Sequence, residues 1–210
     1  SLTLEAYQDE GAMITAFEEG RCDAALMSGS RALEFNKYAG SIEALGAVPD
    51  ATHLQLLAQV LSSPRTAEHL QNDKYIVLGV ASMGENYLYT NNVNEHSLAS
   101  LKGKNIGVPA YDISLNALAK NASATAVQGE LLAVVDGFVE GRTPALLAPL
   151  IGYHVAGAGK AREGSGIVNA PLSHSTIQLI GHAERFPLGL AQMLREDFLF
   201  KFESYIRRVE

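Results

Sequence analysis

Leu2, Leu4 and Ala6 alternate with polar neighbours, which is the period-two pattern of a strand. From Asp9 the period lengthens. Ala12, Met13, Ala16 and Phe17 fall on one side of a predicted helix, with Asp9 placed to cap its first turn and Gly20 placed to end it in a left-handed conformation. "CDAALMS" then reads as a more buried strand. Strand, helix and strand in this order predict a βαβ unit, with parallel pairing and both sheet faces covered. Helices are predicted over "ATHLQLLAQVLSS" and in the piece ending near "EHLQND". Two strand-like runs follow, Tyr75 to Val80 and Asn86 to Thr90, separated by a Gly-containing turn. The second half repeats the alternation. "NEHSLASLKGKNIGVPAY" predicts a short helix and a strand, residues 116–120 continue a helix, and "ATAVQG", "ELLAVVDGFVEG" and "TPALLAPL" predict strand, helix and strand.

One junction is written twice. "AFEEGRCDAALMSGS" and "GFVEGRTPALLAPLI", aligned at Phe17 and Phe138, superpose Glu19-Gly20-Arg21 on Glu140-Gly141-Arg142, Ala24 on Ala145 and Leu26 on Leu147. Any α/β fold repeats helix, Gly and strand, so a shared supersecondary unit is enough to explain the echo. The sharper reading is two similar lobes. Loops leaving the carboxyl ends of parallel strands line the ligand crevice of open α/β sheets, so "MSGSRA" and "APLIGY" would face a common cleft. If the chain crosses into a second lobe near Thr90 and Asn91, a later segment must return. "GIVNAPLSHSTIQLIGH" suits that role, with Ile167 and Val168 strand-like, Pro171 interrupting and Thr176 to Ile180 resuming, before C-terminal helices. The expected lobes are residues 1–90 with 174–210, and 91–173, joined by a hinge at the two crossings.

Hydrophobic residues at 47% and charged residues at 19% support a packed core. A formal net charge of -7 gives no sequence-wide attraction to nucleic acid or to anionic membranes, so nucleic acid is not an expected partner. Cys22 is the only cysteine, which excludes an internal disulfide and a thiolate metal cluster. No apolar run is long enough to span a bilayer, and no secretory signal is visible.

The candidate chemistry is that of binding. Arg31 follows the strand-end "MSGS"; its guanidinium can grip a carboxylate with two parallel hydrogen bonds, with Ser28 and Ser30 completing the cradle, or it can pair with Glu34 on the surface. Tyr111, Asp112 and Ser114 fall at a predicted helix N-terminus, where free amides attract anions and where Asp112 or Ser114 can instead serve as the cap. Tyr111 and Tyr153 could each stack on a ligand or simply pack. Glu85, Asn86 and Tyr87 lie beside the expected hinge, where they could contact a ligand or the hinge backbone. The histidines show no metal-ligand spacing, no G-x-S-x-G elbow occurs, and "GAGKAREGSG" departs from a phosphate loop at His154 and Ala161, reading as a polar loop. No catalytic residue, metal or cofactor is expected.

"EGRCDAALMSGSRALEFNKYAGSIEALGAVP", "YIVLGVASMGENYLYTN" and "LKGKNIGV" resemble extracytoplasmic solute-binding proteins with the type 2 periplasmic-binding fold, of TRAP-like or ABC-like uptake systems. The resemblance implies a two-lobed α/β fold with a hinge, from which a strand and helix ahead of "LTLEAY" are missing in this chain. It implies a non-enzymatic receptor that binds a small polar or anionic solute between its lobes, a carboxylate being one such solute, and delivers it to membrane transporter subunits. A signal peptide in the precursor and a periplasmic location are implied with it. Two alternatives stand beside this reading: the ligand-sensing domain of a LysR-like regulator, and an enzyme on the same scaffold.

Overall fold

The computed structural model describes residues 2–7, 9–154 and 163–209. Its first helix, α1 (Glu10–Glu18), begins where Asp9 accepts a hydrogen bond from the Ala12 amide at 3.1 Å, the cap expected from the pattern. Leu2–Tyr7 forms no strand, in contrast to expectation, and its Leu2 and Leu4 side chains are exposed. A period-two pattern makes a strand only when a neighbour completes the ladder, and among the described residues this segment has none. The expected parallel βαβ unit is therefore not formed at this end of the chain. Instead β1 (Ala24–Ser28) pairs antiparallel with β7 (Ser173–His182), residues far away in the sequence.

The region between β1 and the long central strand is helical: short turns α2 (Gly29–Ala32) and α3 (Lys37–Gly40), then α4 (Ala51–Ser62), capped by Asp50. Next comes β2 (Tyr75–Thr90), a single strand of 16 residues where two runs and a turn are expected. Gly84 does adopt a positive φ of 90°, but it serves a bulge: the register slips between Ser82 and Gly84 and the strand continues. After it, β3 (Asn105–Pro109), α5 (Ile113–Asn121), β4 (Thr125–Gly129), α6 (Leu131–Val139) and β5 (Ala145–Pro149) follow the predicted order; the short α7 (Ile151–His154), which the pattern does not predict, and β6 (Gly166–Ile167) come next. The C-terminal helices are α8 (Leu188–Phe200) and α9 (Phe202–Val209). The expected polar loop is residues 157–166; residues 157–162 lie outside the described residues, and its last four lead through Gly164, at a φ of 86°, into β6.

The strands form one open sheet in the order β1-β7-β2-β5-β3-β4, with β6 beside β2. β2 is shared. Its first part pairs antiparallel with β7 and its last residues pair antiparallel with β5, and Asn86 is the position that faces both, opposite Ser173 and opposite Pro149. Each half of the sheet carries its own apolar core on both faces, as expected of a two-lobed molecule. In the first half Phe17, Met27, Leu54, Val77 and Ile180 pack beneath α1 and α4, while Ile76, Leu78 and Ala191 pack under α8. In the second half Leu88, Ile106, Val108 and Leu147 meet Leu115 and Ala119 of α5; on the other face Tyr89, Leu146 and Ala148 meet Val134, Val135 and Phe138 of α6.

The echoed junction is the same structure twice. Gly20 and Gly141 have φ of 74° and 77°, conformations that a Cβ disfavours. Gly20 donates to the Phe17 carbonyl and Arg21 to that of Ala16; Gly141 donates to Phe138 and Arg142 to Gly137, so both helices close with the paired bonds that use up their last carbonyls. Phe17 and Phe138, which precede these stops by the same spacing, are both fully buried; each such burial contributes roughly 1.5–3 kcal/mol relative to an exposed ring.

Candidate ligand cleft

The carboxyl ends of β1, β3 and β4 present polar side chains to one another. On the first lobe, Ser28 ends β1 and Arg31 lies one turn further on, in α2. Glu10, in the first turn of α1, accepts hydrogen bonds from the Ser28 amide, from the Ser28 hydroxyl at 3.2 Å and from Arg31 Nε at 3.1 Å. The opposite lobe supplies the other partner. Arg31 Nη2 donates to Glu130 at 3.1 Å, the residue between β4 and α6, and the guanidinium lies 5.7 Å from the centre of the Tyr111 ring. Arg31 pairs with Glu10 and Glu130 rather than with Glu34, the surface partner its sequence position suggests, which is exposed.

A second inter-lobe contact lies beside the first. Ser114, in the first turn of α5, donates its hydroxyl to the Glu43 carbonyl at 2.7 Å. Glu43 itself is buried, and its carboxyl accepts from the Thr176 amide at 3.1 Å and bonds the Thr176 hydroxyl. Burial pushes its pKa up to about 8, the nearby Asp112 adds to the rise, and the Thr176 bonds oppose it, so the group is a neutral acid at neutral pH. Gly29 is what lets Glu43 sit there. A Cβ at residue 29 would overlap both the Glu43 carboxyl and the Thr176 hydroxyl. Asp112 caps α5, accepting from the Leu115 amide at 2.8 Å, and burial raises its pKa as well. Half-buried Tyr111 has its hydroxyl pKa raised, first by desolvation and then by the charges of Glu10, Asp112 and Glu130, with Arg31 acting against them.

Where the chain passes between the lobes, the buried groups are polar. Asn86 donates to the Ser173 and Ser175 hydroxyls, both at 2.8 Å, and Ser82 lies 2.7 Å from His174 Nε2. Desolvation lowers the His174 pKa, which favours the neutral ring in this pairing. Glu85 accepts the Tyr87 hydroxyl's hydrogen bond two residues along β2 and stands opposite His174 in the ladder.

Of the residues expected from the sequence, Ser28, Arg31, Tyr111 and Ser114 thus lie where the two halves of the molecule meet, and Ser30 is buried beside Arg31 in α2. Glu85 and Tyr87 lie at the crossing, and the Tyr153 side chain falls outside those described. Glu10, Glu43, Glu130, Thr176 and His174 join them without a motif of their own in the sequence. Glu130 could have been found by the strand-end argument that found Arg31, since it follows β4 directly. Glu43 carries no local signal, because its burial depends on Thr176, distant in the chain. Among the described residues no cluster of His, Cys, Asp and Glu is arranged to hold a metal ion, and no helix is long and apolar enough to cross a membrane.

An open α/β sheet shared by two lobes, with polar strand ends facing across the junction, defines the type 2 periplasmic-binding class of fold. The model of the solute-binding protein AdeT 1/2 family matches residues 1–206, and the chain belongs to that family. It is 31% identical to "Probable solute-binding protein AdeT1" of Acinetobacter baumannii over 92% of its own length and 64% of the relative's, and 23% identical to the corresponding AdeT2 of the same organism over 76% and 68%. The chain therefore spans about 64% of the length of the first of these relatives. Its fold matches a TRAP periplasmic solute-binding protein from Desulfovibrio salexigens with bound orotic acid, at a TM-score of 0.75 and 12% identity, covering 95% of this chain and 65% of that one. It also matches a TRAP solute-binding protein from Pseudomonas aeruginosa with bound L-malate, at a TM-score of 0.69 and 13% identity, covering 95% and 72%. The family match is to solute-binding proteins, and neither the regulator nor the enzyme alternative gains support from it.

Proposed function

We propose that the chain forms the two lobes of an extracytoplasmic solute receptor, which holds a small polar or anionic molecule in the cleft between them and delivers it to a membrane transporter from the periplasm. The observation that carries this reading is the Arg31 guanidinium, placed at a strand end of one lobe and in contact with Glu130 and Tyr111 of the other. A cation in this position can anchor an acid group while both lobes reach the same ligand. Ser28 supports the anchor through Glu10, and Ser114 contributes from the far side; Ser30, Glu85, Tyr87 and Tyr153 complete the proposed site. We take the boundary between the lobes at Asn86 and Ser173, slightly earlier in β2 than residue 90, a reading supported by the exchange of β7 for β5 as the partner of β2 there. The buried polar groups at that crossing serve as the hinge, since their hydrogen bonds can re-form in a slightly rotated geometry more readily than a packed apolar core can shift. The solute is bound and released unchanged.

A ligand closes such a cleft only by binding the closed state better than the open one. Mass spectrometry of solute retained through native purification, followed by solution scattering with and without that solute, tests the proposal. Compaction on binding is the expected result. Absence of compaction at saturation refutes the closing receptor, and turnover of the solute that a cleft substitution abolishes refutes the non-enzymatic reading.

A further inference from the structure

We infer that the ligand is a zwitterion, with a carboxylate that takes the place of Glu130 on Arg31 and an ammonium group that takes the place of Arg31 on Glu130. This rests on the receptor reading above and names the ligand class for the same cleft. Two carboxylates, Glu10 and Glu130, share one guanidinium, so the ion-pair group carries one excess negative charge. Arg31 keeps unused N–H donors, but a third carboxylate that simply adds would raise the excess to two negative charges on one guanidinium, so exchange for one of the two is favoured over addition. The two are held very differently. Glu10 is fixed by the Ser28 amide, the Ser28 hydroxyl and Arg31 Nε, with its side chain 18% exposed. Glu130 makes one bond to Arg31 Nη2, is 35% exposed, and stands at the N-cap position of α6 without making a capping hydrogen bond. Glu130 is the partner that leaves.

What becomes of Glu130 then selects the ligand. A simple carboxylate on Arg31 leaves the Glu130 carboxylate facing it across a closing cleft, with no cation to offset its charge, and an uncompensated charge withdrawn from water is costly. An ammonium group on the same ligand pairs with Glu130 and adds no net charge to the ion-pair group. The Tyr111 ring, against which Arg31 lies, offers its face to that ammonium as it does to the guanidinium. Glu130 thus acts as a specificity-determining residue: it competes for the anchor and rejects acids that bring no positive charge to replace it.

The test is calorimetry on the full-length protein. The twenty L-amino acids are screened by thermal shift, and each that binds is compared with the acid lacking only its amine, such as L-glutamate with glutarate or L-phenylalanine with 3-phenylpropionate. The expected result is that the amino acid binds about tenfold or more tightly than its deaminated partner, as for loss of a partly desolvated charge pair. Glu130→Gln should shrink that preference to within about threefold, while Glu130→Asp retains part of it. Circular dichroism confirms that each variant is folded. The inference is overturned if no amino acid binds, if deaminated acids bind as well as amino acids, or if Glu130→Gln leaves the preference unchanged. In those cases the receptor reading survives when native purification retains some other solute and scattering shows compaction on it; loss of both overturns the receptor reading itself.

Discussion

Replacing Glu43 by Gln should make the protein more resistant to alkaline pH. The carboxyl lies under the Thr176 amide and hydroxyl, out of contact with water, and burial holds its pKa at about 8 against an ordinary 4.5. Because the folded-state value is the higher one, the stability that Glu43 supports is present in full below pH 4.5 and is lost as pH rises through about 8. At about 1.4 kcal/mol per unit, the whole interval corresponds to at most about 5 kcal/mol, and water entering around the ionised group will reduce it. Gln has nearly the shape of the neutral acid, can accept from the Thr176 amide, and does not ionise. Urea unfolding at pH 5, 7 and 9 and constant ionic strength measures the effect. The wild type should lose about 2–4 kcal/mol relative to Glu43→Gln between pH 5 and 9. Asp112 and His174 also have shifted pKa values, but both remain in the variant and largely cancel in the difference. Stability curves that run parallel to within about 0.5 kcal/mol would refute the argument that Glu43 is a buried neutral acid.

Gly29→Ala should destabilise the fold by about 1–3 kcal/mol in thermal denaturation, since its Cβ would meet the Glu43 carboxyl and the Thr176 hydroxyl; an unchanged Tm would mean that Glu43 is free to move aside. Gly20→Ala should cost about 1–2 kcal/mol for a different reason, a φ of 74° with open space around the Cβ, so chemical denaturation should show the loss without any disturbance of the cleft. Arg31→Ala should weaken solute binding by roughly 2–5 kcal/mol, and Arg31→Lys, which keeps the charge and loses the planar fork, should restore only part of it in calorimetry. Unchanged affinity in both variants would remove Arg31 from the site.

Features that rest on neighbours in the chain follow from local rules. Asp9, Asp50 and Asp112 cap helices through amides three residues away, and Gly20 and Gly141 end helices in matching left-handed turns, all within reach of periodicity and capping rules. The second lobe was read nearly strand by strand, because β3, β4 and β5 are joined by helices and pair in parallel, as local alternation predicts. Tertiary structure alone decided the pairings between distant segments. Leu2–Tyr7 has a strand's pattern and no partner, β1 pairs with β7 rather than with its sequence neighbour, and β2 runs on through Gly84 because β7 and β5 together supply its ladder. The echo shows the limit most directly: Leu147 is fully buried in the middle of the sheet, whereas its counterpart Leu26, on an edge strand, is 49% exposed. Charge obeys the same division. The position of Arg31 at a strand end could be read from its neighbours, but its pairing with Glu10 and Glu130, and the burial that neutralises Glu43, depend on which side chains the folded sheet brings within a few ångströms, and electrostatic energies are set by those distances and by the exclusion of water.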